Sequence, residues 1–124
     1  MKIGSGPLTS DEILRAIPMI EAILSSSGID RITVYYGWGT PLEIGDLWKP
    51  FQLSISGLQS FADVSLKKGL FSPGNTDLII EDEKNTVQVL LCHESDIHVI
   101  TDNTGIIHQF RERWADRADR DSLK

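Results

Sequence analysis

The chain has few of the residues that staple a fold or anchor it. Its 124 residues include one cysteine, Cys92, so no intramolecular disulfide, CxxC redox pair or structural zinc site of the common thiolate kinds can form. Long apolar runs are missing too. None approaches the ~18 residues that span a bilayer, and the opening MKIGSGPLTS lacks the roughly 7 to 15 apolar residues of a secretory signal, so a cytoplasmic location without membrane contact is expected. Positive charge is in short supply: 12 Lys+Arg stand against 18 Asp+Glu, a net charge of −6. That balance repels phosphate backbones and anionic lipid heads, which excludes nucleic acid from the expected partners. Catalytic signatures are absent as well. There is no HExxH and no GxSxG, and Gly37-Trp38-Gly39 and Ser72-Pro73-Gly74-Asn75 lack the spacing and the lysine of a phosphate loop. No cofactor is therefore expected.

What is present is an ordinary globular composition, 40% apolar and 24% charged, with no repeat or linker, which reads as a single domain over 1–124 with frayed ends at about 1–7 and 118–124. Ile13, Ile17, Ile20 and Leu24 recur at helical spacing behind the cap candidates Ser10 and Asp11. Pro18 interrupts that stripe and predicts a kink or two short helices. Arg31–Tyr36 and Phe51–Ile55 alternate as strands, and the stretch Leu42–Lys49 between them has no assignable period. Ser56-x-x-Gln59 fits a capping box and starts a helix with the stripe Leu58, Phe61, Ala62 and Leu66, closed by Gly69. Three strands follow, Asp77–Glu81, Thr86–His93 and Ile97–Thr101, joined by the polar turns 82–85 and 94–96. A last helix spans about 104–118, with Ile106, Ile107, Phe110 and Trp114 on one stripe. The order α-β-β-α-β-β-β-α predicts an α+β fold, a single mainly antiparallel sheet of about five strands with helices packed on it. The middle strand is apolar on both faces, so the face without helices needs cover from the segment 42–49 or from a second copy of the chain, and a homodimer is the favoured reading.

Chemistry concentrates in Cys92-His93-Glu94-Ser95-Asp96-Ile97-His98. With a two-residue turn at Ser95-Asp96, His93 lies opposite His98, and the two imidazoles could share a metal ion or act as an acid/base pair oriented by Asp96 or Glu94. The alternative is a hairpin end whose histidines satisfy turn carbonyls and carboxylates. Adjacent strand residues point to opposite faces, so Cys92 is expected to be a buried thiol unpaired with His93. A second cluster, Tyr35, Trp38 and Trp48 around Gly37 and Gly39, offers the side chains that interfaces favour. A loop folded back so that Trp38 caps the core would serve as well. The stretch 111–121 balances four arginines with four carboxylates and reads as a solvated helix face, with Asp116 and Arg120 as a surface pair. His108 reads as a surface residue.

The segment Leu90–His98, with Arg111-Glu112-Arg113-Trp114 downstream, resembles small acidic bacterial proteins of unassigned activity, and in size, acidity and element pattern the chain is similar to immunity proteins that neutralise toxins by binding them. That resemblance implies a protein-binding role and assigns no site residues. The reading that follows is a non-enzymatic cytoplasmic binding module with a basic protein partner. The alternative is a small enzyme or metal-dependent protein built on His93 and His98.

Overall fold

The computed structural model describes residues 1–43 and 45–122, with side chains as far as Trp114. The fold is α+β: β1 (Lys2–Gly4), α1 (Ser10–Ser26), β2 (Arg31–Tyr36), β3 (Phe51–Ser54), α2 (Leu58–Lys67), β4 (Leu78–Asp82), β5 (Val87–Leu91), β6 (Ile97–Thr101) and α3 (Thr104–Ser122). One six-stranded sheet runs in the order β1-β6-β5-β4-β2-β3, and every neighbouring pair is antiparallel. No helix among the described residues is long and apolar enough to cross a membrane.

The sheet has two unequal faces. Ile32 and Val34 of β2, Leu78 and Ile80 of β4, Val87, Val89 and Leu91 of β5, and Ile97 and Val99 of β6 join one cluster with Ile13, Ile17, Ile20 and Leu24 of α1, Leu58 of α2 and Ile106 and Phe110 of α3. The helices therefore cover this inner face. Residues of the other parity form rows across the outer face: Tyr35, Ile79, Leu90, His98 and Gly4 in register, then Thr33, Glu81, Gln88, Ile100 and Lys2. A polar ladder shields the central row, because Tyr35 Oη donates to Glu81 Oε2 at 3.3 Å and Gln88 Nε2 donates to Glu81 Oε1 at 2.8 Å. Ile79 and Leu90 are thereby left half-buried with no helix above them.

Several expectations are corrected. Residues 1–7, expected as a frayed end, include a strand: β1 pairs with β6 through Lys2↔Ile100 and Gly4↔His98, and the buried Ser5 exchanges backbone and side-chain hydrogen bonds with Ile97. At the other end α3 runs on to Ser122, whereas residues 123 and 124 and the side chains of Asp116 and Arg120 lie outside the described ones. Helix α1 is one continuous helix with Pro18 on its exposed side, where water can take the Leu14 carbonyl that the ring leaves free. Its cap is Thr9, not Ser10 or Asp11, in a box where Thr9 Oγ1 accepts from Glu12 N and Glu12 Oε1 accepts from Thr9 N.

The Ser56/Gln59 box does not form. A 3-10 turn at Ile55–Gly57 precedes α2, Ser56 Oγ pairs with Ser54 Oγ, and the Gln59 N–H goes instead to Glu21 Oε1 of α1, a carboxylate placed at the positive end of the helix. The α2 stripe also shifts: Ser65 is buried, its hydroxyl bonded to Tyr36 Oη, and Leu66 is exposed. Gly69 closes the helix as the sequence implies, with φ +74° and the Leu70 N–H bonded to the Ser65 carbonyl.

Candidate functional site

The hairpin between β5 and β6 does not have the register of a two-residue turn at Ser95-Asp96. Leu90 faces His98 and Leu91 faces Ile97, Cys92 N donates to Asp96 O, and Ser95 N donates to Cys92 O. His93, Glu94 and Ser95 thus form a three-residue loop whose last member takes φ +66°, a left-handed turn position that serine seldom fills. The consequence is chemical. His93 leaves the strand and bends over the outer face, while His98 stays on it across from Leu90, so the two imidazoles are not the directly opposed pair expected.

Each histidine instead has its own carboxylate. His93 sends both its backbone N–H and its ring Nδ1 to Asp77 Oδ1, each at 2.8 Å. The other ring nitrogen, Nε2, lies 3.8 Å from the exposed Glu94 carboxylate. His98 Nε2 lies 2.9 Å from Asp96 Oδ2, and Asp96 Oδ1 is buried without a hydrogen-bond partner. Between the two pairs stands Cys92, 8% exposed. It offers a ligand atom within 4.8 Å of those of Asp77 and His93, and equally of those of Asp96 and His98.

The thiol is buried, as its apolar run predicts. It is nonetheless beside His93, with Sγ 4.0 Å from Nδ1, because strand alternation ends where the turn begins. Burial raises the Cys92 thiol above its ordinary range; the Glu94 N–H donating to sulfur acts the other way, and the charges of Asp96 and Asp77 and a hydrogen bond to the Asp96 side chain raise it further. A protonated thiol next to an imidazole nitrogen that already donates elsewhere is not an activated nucleophile.

The aromatic loop rises beside this cluster. Trp38 is 64% exposed and Trp48 54%, so neither caps the core. The Trp38 ring leans on His93 with centroids 5.4 Å apart. Trp48, at φ +66°, donates its N–H to the Tyr36 carbonyl and lays its ring over Gly37, where any Cβ would come within 3.0 Å of both that ring and Asp77. Glycine at 37 is what lets tryptophan and carboxylate meet there. Gly39, at φ +83°, turns so close to the Asn75 carbonyl that a Cβ would sit at 2.6 Å. Glu43 and Asp46 of the same loop are exposed. Tyr35 stands apart from this rim, half-buried on the outer face; burial first, then Glu81, raises its phenol. His108 is a surface residue with a partner one turn on, Glu112 at 3.1 Å.

Sequence reasoning missed Asp77 altogether. It meets His93 only because β4 and β5 pair with Leu78 opposite Leu91. The chain matches no protein-family model, no curated protein and no solved structure.

Proposed function

We propose that this protein is a non-enzymatic binding module of the cytoplasm whose partner is a basic protein, gripped at the end of the sheet where Trp38 and Trp48 stand out. The observation that carries this reading is the exposure of those two rings, 64% and 54%, on a loop whose geometry holds them outward. Large aromatics with few rotatable bonds give the most contact energy for the least ordering cost. Glu43 and Asp46 of the same loop and Glu94 of the β5–β6 turn are exposed carboxylates, and with a chain charge of −6 they favour capture of a cationic surface. Tyr35 is dropped from the contact set because its hydroxyl is committed to Glu81. The particular form of the reading is an immunity-type role, in which the protein neutralises a basic toxin by occupying its surface.

The test is affinity capture from extracts of the source cells on the immobilised full chain, at low salt and at about 0.5 M salt, where exposed charges are screened. A basic protein retained at low salt, weakened at high salt and lost on the Trp38→Ala/Trp48→Ala variant is the expected result. Retention unchanged by the double variant, or no retained protein, overturns it.

A further inference from the structure

The cluster around Cys92 brings sulfur, nitrogen and oxygen donors together at the end of β5. We infer that Cys92 Sγ, an Asp96 carboxylate oxygen and a His98 ring nitrogen form a binding site for a divalent transition-metal ion of the zinc class.

Three observations converge. The three donors lie within 4.8 Å of one another, so modest closure brings them to the ~2.0 to 2.3 Å bonds of a zinc ion with N, O and S ligands. Asp96 Oδ1 is buried with no N–H or O–H donor in reach, and the Asp96 side chain is the acceptor that the Cys92 thiol faces, so a metal ion replacing the thiol proton would take over a sulfur–carboxylate contact already in place. Among the described residues, the only ion-pair partners of Asp77 and Asp96 are the two histidines; no lysine or arginine neutralises them. A mixed sulfur, nitrogen and oxygen set suits zinc, whereas magnesium and calcium take oxygen alone.

Binding is a proton exchange. The Cys92 S–H bond breaks, a sulfur–metal bond forms and the proton leaves to solvent. The His98 ring nitrogen that ligates carries no proton, the other ring nitrogen holding it, so the imidazole would ligate as a neutral ring. With three protein ligands the fourth position stays open to water. The Asp77–His93 pair flanks the sulfur, with His93 Nδ1 4.0 Å from Sγ.

The tag-free full chain, treated with chelator and dialysed, is titrated with Zn2+ by calorimetry and with Co2+ by absorbance. The expected results are one ion per chain, close to one proton released per ion below the thiol's titration range, and a near-ultraviolet thiolate-to-cobalt charge-transfer band. Cys92→Ser, a near-isosteric change, abolishes the band, and His98→Gln weakens Zn2+ binding at least about tenfold, whereas His108→Gln changes neither. Circular dichroism of each variant confirms the fold. Absence of stoichiometric Zn2+ binding by the folded wild type overturns the inference. So does a cobalt spectrum that Cys92→Ser leaves unchanged, or Zn2+ affinity that survives His98→Gln in full.

Discussion

Strand β5 ends in a turn on each side, and the two turns spend their carboxylates differently. Before β5, the buried Asp82 is saturated: Oδ1 accepts the N–H groups of Thr86 and Val87, and Oδ2 accepts the Thr86 hydroxyl. After β5, Asp77 and Asp96 bond to histidines and border a thiol, and one Asp96 oxygen has no partner. The first turn is closed by the Asp82 side chain, whose bonds all stay within the turn. The second retains titratable groups, an unpaired acceptor and two exposed tryptophans, features that backbone closure does not require. A carboxylate near a turn is thus uninformative until its acceptors are counted.

Mutations separate the two ends. Asp82→Ala strips three hydrogen bonds from a buried turn and is expected to lower unfolding free energy by about 3 kcal/mol, at roughly 1 to 3 kcal/mol per orphaned group, measured by urea denaturation. A loss below about 1 kcal/mol would erase the contrast. Asp77→Ala releases both the backbone and the ring of the half-buried His93 from a buried carboxylate, with an expected cost of about 1.5 kcal/mol.

A smaller effect follows pH in chelator-treated protein. The Cys92 thiol, facing Asp77, Asp96, His93 and His98, has its folded value raised, so the native state holds that proton more tightly than the unfolded chain. The stabilisation is complete below the ordinary thiol value of ~8.5 and is lost as pH rises through the higher folded value. Alkaline destabilisation that is shallower in Cys92→Ser than in wild type is the expected result, and equal slopes would contradict it. Tyr35, raised in the same sense, adds a decline of the same sign at higher pH. Smallest of all is Trp38→Ala, expected within about 0.5 kcal/mol of wild type in stability. A larger loss would make the ring a structural part, not a contact surface.

The elements were legible where their signal is local. Arg31–Tyr36 and Ile97–Thr101 are strands over the residues their alternation implies, and Gly69 closes α2 through its positive φ. What escaped was pairing. Lys2–Gly4 is too short to show a period and owes its strand to residues nearly a hundred positions away. The site escaped for the same reason. Turn 82–85, taken as four loop residues, sets Asp77 against Leu90; the observed register, Glu81 opposite Gln88, carries it to Cys92. At the next hairpin, a serine in the left-handed conformation absorbed the extra residue that moved His93 off the strand. No composition or spacing rule announces a non-glycine residue there.

The three residues of β1 have a consequence for solubility. By pairing with β6 they make an inner strand of Ile97–Thr101 and leave a margin of only three residues; the opposite margin, β3, is four residues long and follows Pro50. Short margins and a nearby proline are poor templates for another chain's strand. A protease that removed residues 1–7 would lay bare the edge of β6, with apolar Ile97, Val99 and Ile100 along it, turning a closed margin into a template for polymerisation.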